Sequence, residues 1–551
     1  MKFKLISAFI LCTSLAGMAQ ECSSERYLSN IFQSSVSQDI VFGNSPALTA
    51  VYVAENVTVN QSMTMDIFFP VGDLLPKRPA VVLAYGGGYL FGTKEDEDVW
   101  ATCDSLAKKG YVTASINYRM NLNAVDPSSA VRAIYRGAQD YSSAIRYLKE
   151  FSNTYRIDTN YLFVGGVSAG GFSAMHAVYL DDSERPAETF QSGIFGATPD
   201  LGCINCAGNG YDHTTNVRGI INLWGALMDT AYIQQDELVP MTLFHGTDDL
   251  IVPYDYGFPF TALFLMPEVF GSVNVAERVN NLGGNAELNV FQGVGHNIWG
   301  VNVNNQLVGG PTEHWTPITD SIISFLYENI RPQALTIQST VVCQGQATQL
   351  QASPVPADGH ACWSIEGGTL VSANEDSSQI TVIWNTAGNY EVTAVSVNHL
   401  DAYSIPTTVQ VEVFPVSALT ILNDNGTLQA SAGFASYQWF LDGQELVGED
   451  QSILNVSGPG SYTVQAITAD GCTVTSDAEL IVGILDPLSI WNRIDHILLF
   501  DLAGREIARL SGSELNSLRT KTGVRSAMMV KYMDVKGQTV KTALEILAPI
   551  F

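Results

Sequence analysis

Between about residues 47 and 330 the chain alternates two hydrophobic patterns. One is a short, unbroken apolar run: AVVLAY (80–85), YVTASINY (111–118), YLFVGG (161–166), IINLWGAL (220–227), MTLFHG (241–246) and AELNVFQG (286–293). These read as strands buried on both faces. The other is a longer stretch with apolar residues three or four apart, which predicts helices over 95–109, over 128–151 (long and amphipathic), from Ser168 onward and over 317–329. Apolar strands alternating with helices imply an α/β fold, a doubly wound and mainly parallel sheet covered on both sides.

After Arg331-Pro332 the texture changes to short alternating strands and turns. Gly388-Asn-Tyr390-Glu-Val392 and Gly460-Ser-Tyr462-Thr-Val464 lie 72 residues apart, and each follows a tryptophan-bearing strand. Two tandem all-β sandwich modules are therefore expected, over 333–414 and 415–483. From 484 to 551 two Asp-x-x-Gly cues between apolar strands, at Asp501–Gly504 and Asp534–Gly537, suggest hairpins of a small terminal β domain. That tail holds nine Lys/Arg against seven Asp/Glu, in a chain whose net charge is −28.

The overall acidity argues against a nucleic-acid partner, which would need basic patches. Of the residues, 46% are hydrophobic and 15% charged, enough apolar material for a core and no signature of disorder. The first twenty residues, MKFKLISAFILCTSLAGMAQ, place Lys2 and Lys4 before an apolar core and end in small residues, the pattern of a secretory signal peptide over 1–20. No later run is long and apolar enough for an integral membrane segment. A secreted or cell-surface location follows, where disulfides are permitted. Removing the signal leaves seven cysteines, and Cys203-Ile-Asn-Cys206 suggests a local disulfide rather than a zinc site.

The chemistry gathers at Gly166-Val-Ser168-Ala-Gly170. A serine between small residues, after an apolar strand and before a helix, matches a nucleophile elbow, in which the hydroxyl is pushed out above the sheet. A hydroxyl is a poor nucleophile at neutral pH and needs a base, which in turn needs an orienting carboxylate. Downstream, HGTDDLIVP (245–253) ends a strand with acids at its tip, and NVFQGVGHNIWG (289–300) ends another with His296 in a loop. The order serine, acid, histidine, with 81 residues from Ser168 to Asp249 and 47 from Asp249 to His296, leaves room for the intervening elements. Asp249 is preferred to its neighbour Asp248. His314 and His245 are the rival histidines, the first opening the last helix and the second pointing into the sheet. His176 and Asp140 are read as structural.

Tyr85-Gly86-Gly87-Gly88-Tyr89 ends the strand AVVLAY. With Gly92, ASINYRM, GAQDYSSAIRYLKE and HGTDDLIVP it resembles the His-Gly-Gly-Gly group of the α/β-hydrolase carboxylesterase/lipase family, in a Tyr-Gly-Gly-Gly variant, over about 47–330. The resemblance implies an oxyanion hole from the amides of Gly87, Gly88 and Ala169, catalysis by Ser168, His296 and Asp249, an ester substrate of small or medium size, and no cofactor or metal. The segments WSIEGGTL…ITVIWNTAGNYEV and YQWFLDGQ…GSYTV resemble PKD and Ig-like modules. ILLFDLAGREI and KYMDVKGQTVKTALEI resemble the C-terminal sorting domain of type IX secretion, which implies the secretion machinery as a partner. The alternatives are a serine peptidase or polyester depolymerase on the same fold, or a surface adhesion or glycan-binding protein whose sandwiches carry the function. Two further expectations are a cap from 181–217 over the site and a pocket lined by the aromatic run 254–266. If the sandwiches are only spacers, a 21–332 fragment should be fully active.

Overall fold

The computed structural model describes residues 22–482, apart from 124–125, 193–197, 261–265, 297, 304–305 and 309–310, together with the strand segments 496–500, 506–511, 526–533 and 539–547. The signal peptide expected over 1–20 and the hairpin turns at 501–504 and 534–537 lie outside the described residues. The chain divides into two compact units, Met1–Val413 and Phe414–Phe551.

In the first unit an eight-stranded sheet carries the fold. Its strands are β1 (Gln33–Leu48), β2 (Thr58–Val71), β3 (Arg78–Ala84), β4 (Val112–Ile116), β5 (Ile157–Val167), β6 (Gly219–Leu223), β7 (Met241–Gly246) and β8 (Ala286–Phe291). They lie in the order β1-β2-β4-β3-β5-β6-β7-β8. From β4 to β8 all neighbours are parallel. β1 and β2 pair antiparallel, and β2 runs antiparallel to β4, so the sheet is mixed, with five of its seven strand pairs parallel as the sequence implies. The helices of ten or more residues, among those described, are α1 (Glu97–Lys108), α2 (Pro127–Glu150), α3 (Ala169–Tyr179), α4 (Ser272–Asn281) and α5 (Trp315–Ile330). Strands β3, β4, β6 and β7 are buried along their whole length, as unbroken apolar runs require. The two long first strands carry few consecutive apolar residues, and the sequence pattern missed them; so did α4.

Helix α2 is not simply amphipathic, because its polar residues are buried too. The described residues of segment 181–217 supply acceptors to many of them. Arg132 donates to the Glu188 and Pro199 carbonyls, Gln139 to Leu201 and Cys203, Arg146 to Ala207 and Asn209, and Lys149 to Thr214 and Asn216. On the same helix Asp140 pairs with Arg119, and Arg132 and Arg136 both reach Glu55. A polar helix face that sequence assigns to water is thus covered by a loop whose carbonyls replace the water. Cys203 and Cys206 form a disulfide within that loop. Cys103 is free and buried.

The first unit also contains a β-module of two four-stranded sheets, one built from 336–339, 347–353, 369–373 and 379–383, the other from 342–343, 360–365, 388–397 and 407–414. Trp384, Leu350, Val392 and Val411 form its core. Its turn at 398–403 is seated on the hydrolase part. Leu400 and Ala402 are wholly buried in the hydrolase core cluster, the Tyr27 hydroxyl donates to the Leu400 carbonyl, Asn398 donates to the Ile330 carbonyl, and His399 meets Asp158 at 2.6 Å. A disulfide joins Cys22 to Cys362.

In the second unit a three-stranded sheet (421–424, 427–430, 453–455) and a five-stranded one (436–441, 444–445, 460–467, 473–475, 479–481) enclose Trp439, Tyr462, Leu428 and Leu454. The four strand segments beyond residue 495 make one antiparallel sheet.

Candidate active site

Four loops at the carboxyl ends of parallel strands converge, the place where open α/β sheets present their chemistry. Ser168 directly follows β5 and caps α3 with φ 52° and ψ −116°. A non-glycine residue held there stores roughly 1–3 kcal/mol of strain. The strain persists because the turn is fixed on both sides: the Ser168 amide donates to the Leu223 carbonyl at 2.8 Å, and its own carbonyl accepts from Phe172 at 3.0 Å. The small neighbours are required sterically. A Cβ on Gly166 would lie 2.5 Å from the Gly170 carbonyl carbon, and one on Gly170 would collide with the Ala84 carbonyl of β3.

The predicted serine, histidine and acid come together. His296 Nε2 lies 3.0 Å from Ser168 Oγ, and His296 Nδ1 lies 2.6 Å from Asp249 Oδ2. Asp249 Oδ1 accepts the amides of Ile251 at 2.8 Å and Val252 at 3.0 Å. Burial works to raise the Asp249 pKa, but hydrogen bonds from His245 and His296 outweigh it and hold the carboxyl well below its usual range. Asp248 faces the other way and accepts from the Thr247 hydroxyl.

β3 and β5 are neighbours in register, Ala84 opposite Gly166, which brings the loop after β3 beside the elbow. Gly87 and Gly88 take φ of 109° and 60°. In this left-handed region glycine is unstrained. Among the described residues the amides of Gly87, Gly88 and Ala169 have no protein acceptor. Gly88 and Ala169 line a cavity of about 30 Å³ with Ser168. The remaining walls are apolar: Ile134, Phe172, Ile251, Phe260 and Met266 among them. Phe260 and Met266 come from the run read as a pocket wall, and part of that run, 261–265, lies outside the described residues. The expected cap is different. Among the described residues of 181–217 none lines this cavity, because their carbonyls are spent on α2. A larger polar cleft of about 650 Å³, lined by Lys149, Asp212 and His213, contains none of the predicted site residues.

The remaining histidines and acids sort as follows. His176 is buried in α3, with Nδ1 against the Phe172 carbonyl and Nε2 accepting from the Met228 amide. Burial pushes its pKa down to about 4 against the opposing Phe172 bond. His314 packs edge-on against Phe291. Asp140 accepts from the Arg119 amide and side chain.

Two residues that sequence reasoning did not single out, and one that it set aside, shape the site. Tyr89, at φ 63°, sends its hydroxyl 3.1 Å to both the Ala169 carbonyl and Ser173 Oγ, tying the glycine loop to the elbow helix. Trp224 meets the His296 ring edge-on, with centroids 6.3 Å apart. His245 is in the site after all, with Nε2 3.2 Å from Asp249 Oδ2.

The BD-FAE family model matches residues 65–229, the segment from β2 through the elbow to just beyond β6. No curated protein matches the chain. Among solved structures the chain is similar to an esterase from the planctomycete Thermogutta terrifontis with propionate bound, at 20% identity over 52% of this chain and 94% of that one, with a TM-score of 0.34. The same esterase phosphorylated by paraoxon gives 20% identity, the same coverages and a TM-score of 0.35. Residues 65–229 thus match the model of an esterase-type α/β-hydrolase domain, and the likeness to the solved esterases concerns the fold alone.

Proposed function

We propose that the protein is a secreted serine carboxylic-ester hydrolase working through an acyl-enzyme, with Ser168, His296 and Asp249 as its triad. The observation that carries this reading is the unbroken hydrogen-bonded chain from Ser168 Oγ through both ring nitrogens of His296 to Asp249 Oδ2. Asp249 fixes the tautomer with the proton on Nδ1, leaving Nε2 to accept the Ser168 proton. The alkoxide attacks the ester carbonyl, whose oxygen moves toward the free amides of Gly87, Gly88 and Ala169. Donors of this kind are worth roughly a hundred- to thousand-fold each in rate. Protonated His296 then hands its proton to the leaving alcohol, and water repeats the sequence to release the acid. The small apolar cavity beside Ser168 suits a short acyl chain.

The β-modules fit PKD and Ig-like modules, and the C-terminal sheet fits a type IX sorting domain that would engage the secretion machinery and deliver the enzyme to the cell surface or medium. No helix of the described residues is long and apolar enough to cross a membrane.

The test is hydrolysis of p-nitrophenyl esters from acetate to palmitate by wild type and Ser168→Ala. Wild type should turn over the short esters fastest, and the variant should lose at least about 10³-fold in kcat. Equal activity of the two proteins would refute the reading.

A further inference from the structure

Asp249 is held by two histidines, not one. His245, the penultimate residue of β7, is wholly buried. Its Nε2 lies 3.1 Å from the Val252 carbonyl and 3.2 Å from Asp249 Oδ2, the oxygen that also accepts from His296. Its Nδ1 lies 2.7 Å from Ser272 Oγ, at the start of α4. Ser272 Oγ in turn lies 3.1 Å from the Asn222 side-chain amide on β6. Ser272 and Asn222 are both wholly buried. His245 Nε2 faces two acceptors and so takes the ring's proton, which leaves Nδ1 to accept from Ser272, whose other acceptor, the Gly225 carbonyl, is farther away at 3.5 Å. The Asn222 amide donates to Ser272 Oγ, the Ser272 hydroxyl donates to His245 Nδ1, and the proton on His245 Nε2 is shared between the Val252 carbonyl and Asp249.

We infer that His245, oriented by Ser272 and Asn222, is a positioning residue for the reaction: it locks the acid loop 249–252 to β7 and takes part of the Asp249 charge that would otherwise go to His296. This rests on the reading of Ser168, His296 and Asp249 as the triad. A buried imidazole with both nitrogens bonded is costly to place, since each of its polar atoms must find a partner away from water. Packing alone would be met by an apolar side chain. Here both nitrogens end on groups that set where Asp249 points, one through the carboxylate itself and one through its own tether to β6 and α4.

Two consequences follow. Without the His245 donor the carboxylate is held, among the described residues, by the Ile251 and Val252 amides and by His296, and the loop loses its Val252 tie. Small misplacements of this kind cost on the order of 10²-fold in rate. The whole Asp249 charge is also left to stabilise protonated His296, so more acid is carried into the working range and the acid limb of kcat/KM against pH moves to higher pH. The titratable side chains facing Asp249 are His245 and His296. Tyr254 meets the His245 ring edge-on at 5.8 Å, and Asp248 is turned to Thr247.

The experiment compares wild type, His245→Leu, His245→Gln and Ser272→Ala on p-nitrophenyl acetate across pH. Expected are a kcat lower by about 10²-fold in His245→Leu with KM within about twofold, an acid limb displaced upward, substantial recovery of kcat in His245→Gln, whose amide can still donate to Asp249, and a smaller change of the same sign in Ser272→Ala. Ser272→Ala retains the imidazole and decides the matter if His245→Leu does not fold. Unchanged kcat and acid limb in a folded His245→Leu or in Ser272→Ala would overturn the inference, as would a His245→Gln no better than His245→Leu. Absence of Ser168-dependent hydrolysis in wild type would instead overturn the triad reading beneath it.

Discussion

The seat of the first β-module on the hydrolase part makes a quantitative prediction. The Cys22–Cys362 disulfide closes a loop of 340 residues. For a loop of that length the chain-entropy relation gives about 6 kcal/mol of stabilisation, while typical disulfides deliver about 2–4 kcal/mol. Unfolding entropy near 2.1 cal/mol/K per residue, over the roughly 390 residues from Cys22 to Val413, amounts to about 0.8 kcal/mol/K. Replacing both cysteines by serine should therefore lower the melting temperature by about 2–7 °C. Neither cysteine lines the cavity at Ser168, so kcat/KM at room temperature should be unchanged. Thermal unfolding followed by circular dichroism, with esterase activity measured on the same samples, provides the assay. A shift below about 1 °C would refute the reasoning, because the module would then stay seated without its covalent tie. An equal loss of activity in the folded variant would refute it from the other side.

Ending the chain at residue 332 is more severe, since it removes Leu400 and Ala402 from the hydrolase core and leaves the Tyr27 hydroxyl and the Ile330 carbonyl without their partners. A 22–332 fragment should melt lower and aggregate on heating, as light scattering would report, whereas 22–413 should match the full chain. Gly88→Ala forces a Cβ into a φ of 60° and to 3.3 Å from the Phe260 ring, and should cut kcat by roughly 10²–10³-fold with the fold intact by circular dichroism. Phe260→Ala opens the apolar cavity and should move the preference among p-nitrophenyl esters toward longer acyl chains, read as the butyrate-to-acetate ratio of kcat/KM. The Asp249 pKa is depressed in the folded state, so its contribution to stability is complete above its unfolded value near about 4 and is lost as pH falls below that. The stability gap between wild type and Asp249→Asn should accordingly narrow in thermal melts taken from about pH 5 to about pH 3.

What was legible in the sequence follows the physics of each element. The central strands were readable because burial on both faces forces unbroken apolar runs. β1 was not, since a largely exposed edge strand needs no such run, and in β2 the buried stretch Met65–Phe68 is broken by the buried Asp66, which pairs with Lys94. That Ser168, Asp249 and His296 meet was readable because an elbow needs glycines at fixed offsets and the other two stand at strand ends. His245 was dismissed for pointing into the sheet. It is wholly buried, but Asp249 four residues on turns back to meet it, a contact that strand periodicity does not encode. The described residues of 181–217 lie on α2 rather than along the cavity for a related reason, while 193–197 lie outside the described residues. A long polar loop looks free until the arginines, glutamine and lysine of α2 are seen to need its carbonyls.

The central claim is that Ser168 is the nucleophile, and covalent capture tests it most directly. Wild type and Ser168→Ala would be incubated with a p-nitrophenyl phosphate triester and followed by intact mass and peptide mapping. The account predicts one phosphoryl adduct per chain, on the peptide bearing Ser168, formed in step with loss of esterase activity and absent from the variant. An adduct on another residue, or full inhibition with no adduct on Ser168, would contradict it.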